Sequence, residues 1–252
     1  MKFKKIFFKK YHLLIIIFIV IYSCFFLNQI VDNLPDVKNM KNIQLSQQFN
    51  KNKTLIVKCN TNCNTISINN IPKKIIQTFL IVEDNNFYGH NGFDVQGIIR
   101  VIATIFISGH IRQGGASTIT QQLARNLFLN SEKSFLRKIK EILLAIKIEK
   151  FFSKEEILES YLNKIFFGEN SYGIVAASKK YFNKTLDQLT SSEIAILAGL
   201  PKNPSIYNPI ASIKQTEKRK NIILKVMLYK NLISKKECNI EIKKPIIINN
   251  NH

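Results

Sequence analysis

Acidic residues are scarce in this chain: seventeen aspartates and glutamates stand against 37 lysines and arginines across 252 residues, a formal net charge of +20. A surface so short of carboxylates suits a polyanion or an anionic bilayer. Histidine and cysteine are equally sparse, four of each. Cys59 and Cys63 flank an Asn/Thr loop with no histidine at finger-like spacing, so a local disulfide fits them better than a zinc site. Cys24 lies inside an apolar run and Cys238 stands alone near the end. The chain has no internal repeat and no glycine-rich phosphate loop, which excludes a solenoid and a nucleotide-cradling loop.

What is present begins at the N-terminus. MKFKKIFFKK holds five lysines in ten residues, and Leu13 to Leu27 follows almost without polar interruption. Such a run spans the hydrocarbon core if its ends snorkel, with the lysines on the cytoplasmic side. A cleavable signal peptide shows the same order of regions, but the bulky Tyr22 and the two phenylalanines after Cys24 spoil the Ile21-Tyr22-Ser23-Cys24 site. The expectation is an uncleaved, single-pass signal anchor over residues 1–30, a juxtamembrane linker with one or two short strands over 31–70, and a mainly α domain over 71–252. Without its first 30 residues the chain keeps 32 basic and 17 acidic residues, a formal +15. Export past a membrane leaves nucleic acid an unsuitable partner for that charge.

From about residue 72 the apolar spacing is helical and stays so. It predicts helices over roughly 72–84, 94–108, 117–129, 134–151, 154–166, 171–182, 191–199 and 211–231. Pro72 suits a first helical position, and Ser153 with Glu156 forms a capping box. Gly109, Gly168, Pro201 and Pro204 suit helix stops.

Several polar residues break these apolar patterns. In the first helix Ile76, Phe79, Leu80 and Glu83 follow the spacing of one buried face, so a carboxylate occupies a hydrophobe's slot near a helix C-terminus. Partial burial and the helix dipole both disfavour its charge and raise its pKa, as a general acid or base requires. A helix-ending acid paired with a lysine is the plainer alternative. Asp84 points off that stripe, as a cap or turn residue would. His90 reads as an acid or base, or as a turn histidine bonded to nearby backbone.

In QGGASTITQQLARN, Ser117, Gln121 and Arg125 share one helical side, and Ile119, Leu123 and Leu127 the other. Such a side can bind sugar hydroxyls or an anion, or it is an ordinary solvated face. Solvated faces usually draw Lys and Glu, whereas this one uses Ser, Thr and Gln. In SFLRKIKEILLAIKIEK, Phe135, Ile139, Ile142, Leu143 and Ile146 form an apolar stripe with Arg137 and Glu141 opposite. Those two read as a surface ion pair worth a few tenths of a kcal/mol. Glu141 can also face Glu83 across a cleft, the arrangement inverting sugar chemistry favours.

Together these stretches resemble the glycosyltransferase domain of bacterial peptidoglycan synthases, the penicillin-binding-protein glycosyltransferase family 51. The resemblance runs from about Pro72 to Pro209 through five ordered motifs: EDNNFYGHNGFD, GGASTITQQLARN, RKIKE, KEEILESYLN ending at Asn163, and LAGLPKNPSIYNP. It implies a lysozyme-like helical fold behind the anchor, acting at the outer face of the cytoplasmic (inner) membrane on lipid II and a growing glycan strand, beside wall-synthesis or division proteins.

By the same resemblance Glu83 matches the general base. Glu141 matches a second acid on the pyrophosphate side, acting through a divalent cation such as magnesium or manganese. Arg125, Lys133, Arg137 and Lys138 match basic positions around the phosphates, and Ser117, Gln121 and Gln122 match polar positions lining the donor side. Asp84, His90, Asp94 and Asn163 support the site. The run VIATIFISG, residues 101–109, corresponds to the family's mobile, membrane-touching region.

The chain departs from the family in carrying two glycines before Ala116 and Arg125 in place of the commoner lysine. No serine is followed three residues later by lysine and no Lys-Thr-Gly occurs, so the expected activity is glycan polymerisation without transpeptidation. A membrane-bound muramidase or lytic transglycosylase is the rival, since such enzymes share the helical fold and a catalytic glutamate. A non-catalytic scaffold is a second rival, against which both glutamates speak.

Overall fold

Helix-starting side chains recur along the chain, and each sets an axis. The computed structural model describes residues 28–43, 65–97, 117–129 and 134–248, the strands at 47–49 and 55–57, and positions 18, 21, 22, 25, 26 and 99. The described chain is mainly helical: α1 (Lys73–Glu83), α2 (Ile119–Phe128), α3 (Phe135–Phe151), α4 (Lys154–Lys164), α5 (Ile174–Phe182), α6 (Ser191–Gly199), α7 (Ile213–Tyr229) and α8 (Lys235–Lys243). β1 (Gln47–Phe49) and β2 (Leu55–Val57) form an antiparallel pair with Gln47 opposite Val57.

Thr118, Ser134 and Ser234 each accept the backbone N–H three residues on, satisfying a donor the helix cannot pair. Ser153 with Glu156, and Thr190 with Glu193, close reciprocal capping boxes on α4 and α6.

α6 is apolar almost all round and nearly every residue is buried, so it takes the interior and packs against both α1 and α7. α2 packs against α3 and α4. Between these groups Phe79 of α1 meets Tyr161 of α4 and Phe167 edge-on, with centroids 6.5 and 6.0 Å apart.

The core reaches back into the stretch read as linker. Val37 and Met40 are fully buried within it. The buried Lys164 ammonium is held by the carbonyls of Met40, Lys41 and Ile43, and burial pushes its pKa down to about 8. Residues around 40 are thus fastened to the end of α4.

Two expectations need correction. The buried face of α3 is Glu141, Leu144, Ala145 and Ile148, whereas Phe135 is 83% exposed and Ile139, Ile142, Leu143 and Ile146 are only half-buried. The small Ala145 lets the turn at Gly92 lie on the α3 backbone, and that close approach selects the face. α8, not expected from spacing, is tied down by Glu237 bonding Lys74 and Ser191, and by Glu241 accepting from the Ser192 N–H.

Among the described residues no helix is long and apolar enough to cross a membrane. Most of the expected anchor, and residues 101–116 with the expected membrane-touching run, lie outside them.

Candidate active site

α1 delivers Glu83 as its last residue. Ile75 and Phe79 are fully buried and Ile76 and Leu80 partly, so the buried stripe is centred slightly off the expected one. Glu83 as a whole is part-exposed, but its carboxylate lies inside. Oε2 accepts from Gln122 Nε2 at 2.8 Å, and Oε1 is buried with no partner among the described residues. Burial raises the Glu83 pKa, and the Gln122 bond and the charges of Arg219, Lys202 and Arg125 offset only part of that rise. An acceptor oxygen held dry, unpaired and reluctant to carry charge is suited to taking up a proton.

Asp84 serves a different purpose from its neighbour. Its buried carboxylate accepts the Ile119 N–H at 2.9 Å, fixing the start of α2, and pairs with His90 Nε2 at 3.0 Å. His90 in turn offers its carbonyl to Lys154, whose ammonium sits 4.4 Å from the Phe87 ring centroid. Gly92, at φ +94°, lies so close to α3 that a Cβ would stand 2.8 Å from the Ala145 carbonyl carbon. Its own carbonyl accepts from Thr118 Oγ1 at 2.8 Å. Asp94 precedes a helical turn beginning at 95, its carboxylate against Gly97. The loop from 84 to 94 therefore joins the end of α1 and the start of α2 to the middle of α3.

A second cluster is built on α2 and α3. The Lys138 ammonium donates to Ser117 Oγ (2.8 Å), Gln121 Oε1 (3.0 Å) and Glu141 Oε1 (2.6 Å). Arg137 Nη1 donates to Glu141 Oε2 at 2.8 Å. Glu141 is 1% exposed, so a buried carboxylate holds the part-buried Arg137 and the part-exposed Lys138, unlike the surface pair that spacing alone suggests. On α2 the solvated-face alternative falls away: Thr120, Gln121 and Gln122 are all buried and bond to Glu149, Lys138 and Glu83. Gln122 stands against Glu83, while its neighbour Gln121 joins the Lys138 cluster, so α2 bridges the two acids. Lys133 lies outside the described residues.

Asn163 reaches elsewhere. Its amide exchanges hydrogen bonds with the backbone of Ile66 at 2.9 and 2.8 Å, clamping that segment to α4.

Spacing overlooked three groups around Glu83. Tyr161, fully buried, donates to Gln122 Oε1 at 3.2 Å. Arg219 of α7 and Lys202, which follows α6, act electrostatically on Glu83 and on each other. Arg219 is buried with its guanidinium 5.7 Å from the Tyr207 ring, passing so near Gly199 that a Cβ there would meet its Cγ at 2.9 Å. Lys202 sits within the motif LAGLPKNPSIYNP, a signal that could have singled it out; Arg219 lies in a lysine-rich run that reads as solvated.

Four buried side-chain atoms of this region lack a hydrogen-bond partner among the described residues: Glu83 Oε1, His90 Nδ1, Arg137 Nε and Arg219 Nε. Buried orphans of this kind call for an explanation, and a substrate supplies one for those facing a cleft. A divalent cation fits Glu141 poorly, because both its oxygens already face cations. Among the described residues no three His, Cys, Asp or Glu side chains converge as ligands.

A helical body that holds one perturbed carboxylate among fixed cations defines a site for chemistry on an anionic substrate. Comparison with known proteins makes the class specific. The family model described as Transglycosylase matches residues 45–228, and the chain belongs to that family, the glycosyltransferase domain whose motifs it carries. It is 50% identical over 182 residues to penicillin-binding protein 1A of Haemophilus influenzae, covering 72% of this chain and 21% of that protein. To penicillin-binding protein 1A of Escherichia coli K12 it is 44% identical over 208 residues, covering 81% and 24%. The chain thus spans about a quarter of the length of these curated relatives. The crystal structure of the Haemophilus influenzae protein aligns over 82% of this chain and 21% of its own, with a TM-score of 0.45 and 29% identity.

Proposed function

We propose that this chain is a peptidoglycan glycosyltransferase that polymerises lipid II into β-1,4-linked glycan. Family membership supports the reaction class, and the buried, unpaired Oε1 of Glu83 is the observation that carries the mechanism. Glu83 takes the proton from the acceptor's sugar 4-hydroxyl. The freed oxygen bonds to the donor's anomeric carbon from the face opposite the leaving group, and the bond from that carbon to the phosphate oxygen breaks. The configuration inverts, and undecaprenyl pyrophosphate departs with the electron pair.

A diphosphate needs cations where its charge develops, not a strong acid. Arg137 and Lys138, ordered by Glu141, Ser117 and Gln121, supply one such group, and Arg125, Lys202 and Arg219 a second. A raised carboxyl pKa alone also suits a glycan-cleaving acid, and the two cationic groups favour polymerisation. No step requires a protein-held metal. The apolar run from Leu13 to Leu27 supports an anchored domain, which on this reading works at the outer face of the cytoplasmic membrane.

The test is purified protein with lipid II. Wild type is expected to make glycan strands, and Glu83→Gln, correctly folded, to make none. Strand synthesis by Glu83→Gln at the wild-type rate refutes Glu83 as the base. Shortening of preformed glycan by wild type shows the rival cleaving activity instead.

A further inference from the structure

Gln122 is buried, yet no step above uses it. Its Nε2 donates to Glu83 Oε2 at 2.8 Å and its Oε1 accepts from the Tyr161 hydroxyl at 3.2 Å. The chain Tyr161 to Gln122 to Glu83 therefore ends on the one carboxylate that, among the described residues, has a buried oxygen without a partner. We propose that Tyr161 is a positioning residue for the base: its hydroxyl fixes which way the Gln122 amide points, and that amide aims the carboxylate of Glu83. The proposal rests on Glu83 being the base.

An amide can turn over, and its two ends carry opposite partial charges. With the NH2 end toward Glu83 it stabilises the carboxylate and pins Oε2, leaving Oε1 for the incoming hydroxyl. With the carbonyl end toward Glu83 it favours the protonated acid, which cannot take a proton. The Tyr161 hydroxyl could accept from the amide's other end, but its own proton has Gln122 Oε1 as its acceptor and would face an NH2 if the amide turned over, so it discriminates. Hydrogen bonds in series strengthen one another in a dry interior.

Tyr161 itself cannot drift from this part. Its ring lies edge-on to Phe79 at 6.5 Å and is fully buried. Burial, and then the charge of Glu83, hold its hydroxyl well above the usual phenol range, so it stays a neutral donor. The other charges facing Glu83 are Arg219 of α7, Lys202 after α6 and Arg125 of α2, and those facing Tyr161 are Glu83, Arg125 and Asp84. None of them can orient the amide, because Gln122 Oε1 has Tyr161 as its side-chain donor.

The experiment is Tyr161→Phe in the full chain, assayed with lipid II from pH 5 to 9 beside Glu83→Gln, Gln122→Met and the double variant Tyr161→Phe/Gln122→Met. Thermal unfolding first establishes that each is folded. Removing the hydroxyl is expected to lower kcat roughly three- to tenfold, the rate equivalent of one ordinary hydrogen bond, with KM little changed. The acid limb of the rate profile moves to higher pH, since the carboxylate loses part of its stabilisation. In the Gln122→Met background Tyr161→Phe is expected to do nothing more, because the relay is already cut. A Tyr161→Phe protein with an unmoved acid limb, or effects that add in the double variant, overturns the relay while an inactive Glu83→Gln leaves the base reading standing. An active Glu83→Gln overturns both.

Discussion

Replacing Glu83 by glutamine should make the protein more stable while it stops catalysis, and the two effects share one origin. In the folded chain the carboxylate is buried, one oxygen has a single hydrogen bond, and the other has none among the described residues. Burial raises the pKa above its ordinary 4.5, and the nearby cations reduce that rise without cancelling it. A carboxyl group with a folded pKa above its unfolded one binds protons more readily in the folded state. It therefore leaves stability untouched below the unfolded pKa, reduces it as the pH rises between the two values, and exerts its full penalty above the folded one.

Glutamine keeps the shape and a partner for Gln122 but never ionises. Leaving a buried acceptor unpaired costs about 1–3 kcal/mol, and a neutral amide keeps part of that cost. The expected gain near pH 7 is about 1–2 kcal/mol, roughly 2–8 °C in Tm for a domain of this size. The assay is calorimetric or fluorescence unfolding of both proteins from pH 4 to pH 8. The gain should be largest at neutral pH and vanish toward the acid end. A Glu83→Gln protein less stable than wild type at pH 7 refutes the reasoning. Glu83 would then be a well-paired helix-ending acid, and the cations around it would be structural partners.

Three other variants test the surrounding parts. Asp84→Ala leaves the Ile119 N–H and His90 Nε2 without their acceptor, so denaturant unfolding should show a loss of about 2–4 kcal/mol, with Asp84→Asn near half of it. Gly92→Ala forces a side chain into a left-handed backbone and within 2.8 Å of α3, and should cost about 2–4 kcal/mol by the same measurement. Gly89→Ala is its control, since the new Cβ meets only the movable Asn86 side chain, and should cost far less. Lys138→Met removes a part-exposed cation and its three hydrogen bonds. Its expected signature is a kcat for lipid II reduced on the order of 100-fold in a folded protein, and an unchanged kcat removes Lys138 from leaving-group stabilisation.

Much of the helical frame was legible because its signals are local. Ser153 with Glu156 announces α4, and the observed α1, α3 and α6 lie within two residues of the ranges read from spacing. α8 was missed although Ser234 and Glu237 stand at capping distance. Its buried face consists of Cys238 and Glu241, so no apolar stripe marks it, and Glu237 and Glu241 tie the helix to Lys74, Ser191 and Ser192, partners that lie over 40 residues away. The face of α3 was misread for a related reason. Large apolar residues were taken as the inward side, while tight contact with Gly92 required the small Ala145 there instead.

Burial of polar residues also explains which parts of the site could be read. Ser117, Thr120, Gln121 and Gln122 looked wrong for a solvated face because they are short of charge, and the structure buries all but Ser117, which is half-buried. A neutral amide can be enclosed at the cost of its hydrogen bonds, whereas an enclosed Lys or Glu needs a counter-charge as well. Uncharged polar residues on a helix therefore signal an interior network before they signal a ligand. The partners in that network are invisible to spacing: Tyr161 reads as one more apolar position on α4, and only contact with Gln122 gives its hydroxyl a purpose. Glu83 was legible for the opposite reason, since a carboxylate in an apolar slot has no neutral disguise. Its neighbours in the fold then decide whether that slot is a defect or a base, and a carboxylate with one oxygen bonded to an amide and the other buried without a partner among the described residues fits the proposed base.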